Sequence, residues 1–143
     1  MKWITRAHVH VDRVACPWLI KRFVDSEAEF FFVAKTLVEE EGARLGAIPF
    51  DAPGAELGHH DGHSSFVTIL KKYALSDPAL RRLGEAVDAA DTDRLDSDPY
   101  APGLEAIAKG FSLMHPDDRD NLELQFAVYD ALYAFFRLET ARE

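Results

Sequence analysis

A strand–helix–strand order in the first third of the chain constrains the fold most. Residues 3–12 alternate between mostly apolar odd positions and polar even positions, which is typical of a strand with two unlike faces. Residues 16–24 have apolar side chains at helical spacing, and Pro17 suits the first turn of a helix. Residues 28–34 are apolar enough for a second, buried strand. A right-handed crossover would make these two strands parallel.

Helical patterns dominate the remainder of the chain. Apolar spacing, helix-capping residues and prolines predict a short strand at residues 47–51 and helices at residues 36–45, 66–73, 77–91 and 104–111 and from Pro116 onwards. We therefore expect an α-rich α/β fold, in which about five or six helices pack on a small, partly parallel sheet from the N-terminal third. The length favours one domain over residues 1–143.

Composition and charge exclude several classes of function. The net charge of −9 disfavours direct binding to nucleic acid or to an anionic membrane, since no basic run offsets it. No apolar run approaches the ~20 residues that cross a bilayer. The N-terminus lacks the pattern of a signal peptide, and a single cysteine excludes an internal disulfide. These features predict a cytoplasmic location.

The segment Gly58–Ser65 is the strongest candidate for chemistry. It contains three of the six histidines within five residues, with Asp61 between them and a glycine on either side of the first pair. Imidazole and carboxylate groups are the usual ligands of zinc, iron and manganese. The segment therefore predicts a metal site, although a polar surface loop would have the same composition.

Two other parts of the chain could supply further ligands. His10 and Asp12 would share the polar face of the first strand, where alternate side chains lie roughly 6–7 Å apart. Asp88 and Asp91 end a helix, where the helix dipole disfavours carboxylates unless a cation compensates them. That cation is either a metal ion or Arg94, which follows closely in the sequence.

Cys16 and Arg13 suggest a different kind of site. If the second element begins near Cys16, its free N–H groups and dipole favour a bound anion or a thiolate, and Arg13 lies just before it. The two residues would then form an oxyanion-binding or redox-active corner. The alternative is that Cys16 is a small buried side chain of the core.

Several strings of the sequence resemble one known family, the C-terminal domain of the chromate-resistance protein ChrB. These strings are Val11–Phe23, Ile48–Asp51 followed by Gly58–His60, Ala90–Asp93 and Val128–Tyr133. The resemblance implies an association with chromate resistance and with chromate-responsive control of an efflux transporter. Longer members of the family carry an additional N-terminal region, so we expect the stand-alone form of the domain here.

The resemblance also narrows the candidate residues, because the matching strings contain Asp12, Arg13, Cys16, Asp91 and the pair His59–His60. We expect a site for a divalent ion, zinc, iron or manganese, with ligands from the following residues: His59, His60, Asp91, Asp12 and His10.

Three functions remain open at this stage. The first is a metal-binding domain that responds to chromate or carries out metal-dependent, including redox, chemistry. The second is a non-catalytic sensor that binds chromate or another small oxyanion at Arg13 and Cys16. The third is a metal-dependent hydrolase, because the run His8–Asp12 superficially resembles the histidine motif of metallo-β-lactamase-like enzymes. The sequence leaves open whether the domain is an enzyme, and the apolar stripe of the last helix allows a homodimer.

Overall fold

A small parallel sheet forms the N-terminal part of the computed structural model, which describes residues 1–142. Its three strands are β1 (Lys2–Arg6), β2 (Glu29–Val33) and β3 (Ile48–Pro49). Strand β1 lies in the centre and pairs in parallel with both neighbours. The expected parallel pairing of the first two strands is therefore confirmed.

Helices make up most of the described residues. They are α1 (Val11–Leu19), which continues as a π-helix (Ile20–Val24), α2 (Val38–Leu45), α3 (Ser65–Lys72), α4 (Pro78–Asp91), α5 (Ala101–Met114) and α6 (Asp118–Thr140). Short 3₁₀ turns precede α2 and α5. Helix α4 begins as its sequence predicts, because Asp77 caps it and Pro78 occupies its first position. The α-rich α/β fold is confirmed.

The main core lies between the sheet and the helices that follow it. Its largest fully buried side chains include Trp3 from β1, Trp18 from α1, Phe66 from α3 and Tyr129 from α6. Burying an aromatic side chain of this kind stabilises a fold by about 2–3 kcal/mol. A second, smaller cluster around Ile4 and Val38 places α2 against the sheet.

The first strand is shorter than the alternating pattern predicts, and this prediction was wrong for residues 7–12. The chain leaves the sheet after Arg6 because His8 adopts a left-handed backbone conformation, with φ of 67°. The carboxylate of Asp118 accepts hydrogen bonds from the backbone N–H groups of His8 and Val9 and so holds the turn. The alternation of polar residues continued past the strand because His8 is exposed and His10 is half-buried outside the sheet.

Helix α1 consequently begins at Val11 rather than near Cys16. Pro17 lies inside the helix, not in its first turn, and Cys16 is fully buried. The prediction that Cys16 lies at a helix N-terminus was therefore wrong. Asp12 occupies the first turn instead, where a carboxylate interacts favourably with the helix dipole.

The last helix has apolar residues on more than one face. Leu122, Tyr129 and Phe136 are buried in the core as their spacing predicts, whereas Leu124 and Leu138 are more than half exposed. A homodimer through this helix stays a prediction. None of the helices in residues 1–142 is both long enough and apolar enough to cross a membrane.

Candidate metal centre

Four ligand-type side chains converge beyond the carboxyl ends of β1 and β3. Asp12 comes from the first turn of α1, Asp51 directly follows the short strand β3, His59 lies in the histidine-rich loop and Asp91 is the last residue of α4. One ligand atom from each of them lies within 4.8 Å of all the others. Asp12 and Asp51 are buried, Asp91 is half-buried and His59 is exposed on one side.

Asp12 is held by the start of helix α3. Its carboxylate accepts hydrogen bonds from the backbone N–H groups of Ser65 (2.7 Å) and Phe66 (3.1 Å), the first two residues of α3. These N–H groups have no partner within their own helix, so Asp12 caps α3 from a distant part of the chain. The thiol of Cys16 donates to the same carboxylate at 3.2 Å.

Asp51 is fixed by a left-handed backbone conformation and by two side chains. Its φ of 45° lies in the left-handed region, which aspartate tolerates better than most residues other than glycine. The hydroxyl of Ser65 donates to its carboxylate at 2.8 Å, and the guanidinium of Arg13 lies 3.4 Å away. Arg13 also donates to the backbone carbonyl of His8 at 2.7 Å.

The loop that carries His59 is shaped by its two glycines. His60 and His63 pair across a tight turn in which Asp61 and Gly62 have φ of 54° and 78°. A side chain at Gly58 would place a Cβ 3.0 Å from the carbonyl oxygen of Ala55, so that position is also restricted. The glycines therefore set the path that brings His59 over the three carboxylates.

The Nε2 atom of His59 faces all three carboxylates at once. It lies 2.9 Å from an oxygen of Asp91, 3.2 Å from one of Asp51 and 3.4 Å from one of Asp12. A single N–H carries one proton and cannot donate three well-aligned hydrogen bonds. Neighbouring ligands bound at about 2.0–2.2 Å around one zinc-like ion are separated by roughly 2.8–3.6 Å, the range given by octahedral and tetrahedral geometry.

The charges of the cluster shift the pKa values of its members. Burial and the neighbouring Asp51 raise the pKa of Asp12, and burial together with Asp51 also raises the pKa of Asp91. For Asp51, burial is outweighed by hydrogen bonds from His59 and Ser65 and by the charge of Arg13, and its pKa is lowered. Hydrogen bonds to Asp12 and Asp51 raise the pKa of His59 to about 10. Without a metal ion, a protonated His59 therefore neutralises part of the negative charge.

A second cluster supports the histidine loop from the other side. Asp88 accepts hydrogen bonds from the backbone N–H of Ser64 (2.6 Å) and from Nδ1 of His63 (3.0 Å), and it forms an ion pair with Arg94. Arg94 is therefore the cation that the aspartate-rich end of α4 led us to expect as the alternative to a metal. These bonds fix the segment between His59 and α3.

Replacing Asp88 with alanine should weaken the site without removing a ligand. Loss of the bond to the buried N–H of Ser64 is expected to lower the free energy of unfolding by about 1–3 kcal/mol. The histidine loop would also be held less firmly, which should lower metal affinity by about tenfold, as when other residues that orient a metal ligand are substituted. Asp96→Ala is the matched control because Asp96 is exposed. Chemical denaturation and metal titration of both variants would measure the effects, and equal values for the two would refute this role.

The structure brings together three of the five predicted metal ligands: Asp12, His59 and Asp91. The ring of His60 instead bonds the backbone carbonyl of Glu56 at 2.7 Å, and His10 lies before α1 outside the group. Asp51 is a member that the sequence reasoning missed. Its signal was its position directly after a short strand in a string that matches the family.

The predicted anion corner loses its physical basis. Cys16 is completely buried within α1, and burial and the neighbouring Asp12 raise its pKa well above the usual range. A buried thiol of this kind is neither a thiolate nor accessible to an oxidant. Arg13 is engaged by Asp51 and by the carbonyl of His8.

Fold and site together define a small α/β domain with an Asp/His cluster at the carboxyl end of a parallel sheet. Residues 3–136 match the family described as "ChrB, C-terminal domain". The chain is also 36% identical over 136 residues to a protein named "Protein ChrB" from Cupriavidus metallidurans. The chain therefore belongs to the ChrB C-terminal domain family.

The match with this relative covers 94% of the present chain but 40% of that protein. The chain thus spans about two fifths of the length of the curated relative it matches. No solved structure matches the chain.

Proposed function

We propose that the domain binds one divalent metal ion through Asp12, Asp51, His59 and Asp91, and that this ion serves its role in chromate resistance. The observation that carries the proposal is the position of His59 Nε2, 2.9–3.4 Å from three carboxylate oxygens. The separations of these oxygens from Nε2 are those of neighbouring ligands around one ion, and one N–H cannot satisfy three acceptors.

The balance of charge supports a divalent ion. Three ionised carboxylates with a neutral imidazole carry three negative charges, and Arg13 compensates one of them through Asp51. A divalent cation balances the remaining two. Carboxylates that are otherwise buried together repel one another, so the ion would remove an electrostatic cost of the metal-free fold.

The donor set narrows the choice of metal. Carboxylate oxygens suit hard ions such as manganese, whereas imidazole suits zinc and iron, and a thiolate or thioether that would select copper(I) is missing from the described group. Zinc, iron and manganese therefore remain the candidates. Iron or manganese would allow redox chemistry at the site, and any of the three would polarise a bound oxygen ligand.

Membership of the ChrB C-terminal domain family suggests a role in chromate resistance. We infer that the domain responds to chromate or another small oxyanion, either as a metal-containing sensor or through metal-dependent chemistry. The oxyanion sensor at Arg13 and Cys16 receives no support, since the terminal nitrogens of Arg13 bond Asp51 and the carbonyl of His8, and the thiol of Cys16 is completely buried. The run His8–Asp12 also lacks the hydrolase geometry, because His8 and His10 lie outside the group.

Metal binding by purified protein tests the proposal directly. After removal of metal with a chelator, manganese(II), iron(II) and zinc(II) are titrated calorimetrically, and elemental analysis counts bound ions. We expect one ion per chain, and we expect His59→Ala to lower its affinity by about a hundredfold or more, since loss of a ligand exceeds loss of an orienting residue.

His60→Ala provides the matched control for this experiment. It removes the neighbouring imidazole of the same loop, whose ring bonds a backbone carbonyl instead of the cluster. We expect the metal affinity of His60→Ala to stay within about twofold of that of the unaltered protein, because the substitution removes no ligand. Sub-stoichiometric metal in the unaltered protein, or equal affinity in both variants, would rule the metal site out.

A further inference from the structure

The last residue of β1, Arg6, has a guanidinium group without a partner. Among the hydrogen bonds and ion pairs of residues 1–142, none involves the Arg6 side chain, and its Nε is buried without an acceptor. A buried donor that loses its water without gaining an acceptor is costly, so native proteins rarely leave one. No acceptor within residues 1–142 engages the half-buried guanidinium of Arg6, so this group is free to bind one from outside the chain.

The Arg6 side chain lines a cleft that borders the metal centre. The cleft has a volume of about 300 Å³ and is shared with Asp51 and His59 of the centre and with His60. Its remaining lining is formed by residues 52–55 and Gly58. The cleft lies at the carboxyl end of β1, which is where open parallel sheets bind their ligands.

Arg13, by contrast, is not available for a ligand. Its terminal nitrogens are held by Asp51 and the carbonyl of His8, it lies outside the cleft lining, and its Nε is also buried without an acceptor. Arg6 is the one arginine in the cleft lining, and no ion pair within residues 1–142 neutralises it. A guanidinium presents N–H donors in a planar fork that matches two oxygens of one anion. A volume of this size admits a small anion and is at the lower limit for larger organic ligands.

We propose that this cleft binds a small anion through two of its oxygens, with Arg6 as the recognising side chain and the metal ion at its other end. The proposal rests on the proposed metal site, because the ion lets an anion approach three carboxylates. The required chemistry is shared by tetrahedral oxyanions and by carboxylates. Both present a pair of oxygens to the guanidinium fork.

Separate calorimetric titrations of metal-loaded protein with sulfate and with acetate distinguish the two classes of anion, tetrahedral oxyanions and carboxylates. We expect one of them to bind, and we expect Arg6→Gln to weaken that binding by about tenfold or more, as for loss of a charge-assisted hydrogen-bond pair. Arg6→Lys keeps the charge but not the fork and should give an intermediate affinity. Arg81→Gln, at an exposed position of α4, should leave anion binding unchanged.

Metal titration of the same variants separates this inference from the metal site. Arg6→Gln should bind metal as the unaltered protein does, which also shows that the variant is folded. Equal anion affinity in Arg6→Gln and the unaltered protein, or no binding of either anion, would overturn the anion site while leaving the metal site intact. Failure of the unaltered protein to bind metal would instead refute the proposed function and the anion site with it, a result distinct from normal metal binding without anion binding.

Discussion

At pH 8, where Asp12 is ionised, replacing it with alanine is expected to lower the free energy of unfolding of the metal-free domain by about 3 kcal/mol. Each hydrogen bond to a charged group contributes about 1.5–3 kcal/mol. The carboxylate is completely buried and accepts from the N–H groups of Ser65 and Phe66. Its removal leaves both donors buried at the start of α3. Relief of repulsion with Asp51 offsets part of the loss. For a chain of this length the melting temperature should fall by roughly 10 °C.

Asp120→Ala is the matched control for this measurement. Asp120 also lies in the first turn of a helix, but its side chain is exposed. Both substitutions remove the same favourable interaction with a helix dipole, of about 0.3–1 kcal/mol. The free energy of unfolding of both variants is measured with denaturant in the presence of a chelator, so that bound metal does not stabilise either of them. If Asp12→Ala costs no more than Asp120→Ala, Asp12 is not the residue that anchors α3.

The fold followed from the sequence wherever a local pattern agreed with the tertiary packing. Helix α4 has a capping aspartate, a proline at its first position and an apolar stripe, and each of these signals is local. The predicted end of strand β1 was wrong because the alternation of apolar and polar residues continues beyond Arg6, where the strand ends. The turn at His8 depends on Asp118, which lies in a helix more than a hundred residues away.

The candidate site was predictable only in part for the same reason. His59 and Asp91 lie in segments that are unusual by themselves, a histidine-rich loop and an aspartate-rich helix end. The choice of His59 over His60 depends on the turn at Asp61–Gly62, which the spacing of the histidines does not determine. Asp51 is a single aspartate after a short strand, and its role appears only when β3 is paired beside β1.

Metal affinity is expected to rise about a hundredfold or more between pH 6 and pH 8, since displacement of one proton changes affinity about tenfold per pH unit. The proton comes from His59, whose pKa in the metal-free fold is about 10, and a metal ion takes its place at Nε2. Below about pH 7 Asp12 adds to the slope, because burial and Asp51 raise its pKa to about 7. Asp51 adds little, since its pKa is lowered.

The stability of the metal-free domain should have the opposite pH dependence. The folded-state pKa of His59 is raised from 6.5 to about 10. The stabilisation by its positive charge is therefore fully present below pH 6.5 and is lost as the pH rises through about 10. Asp12 acts in the same direction: its raised pKa means that folding becomes less favourable as the pH rises from about 4 through 7.

Proton release during metal binding measures this exchange directly. Calorimetric titrations in buffers of different ionisation enthalpy should give about one proton per ion at pH 8 and between one and two near pH 6. The His60→Ala variant should release the same number, because its ring lies outside the cluster. Constant affinity from pH 6 to pH 8, without proton release, would mean that the ion does not replace the His59 proton. In that case the cluster is a self-contained ion-pair network, in which the charged imidazole itself balances the three carboxylates.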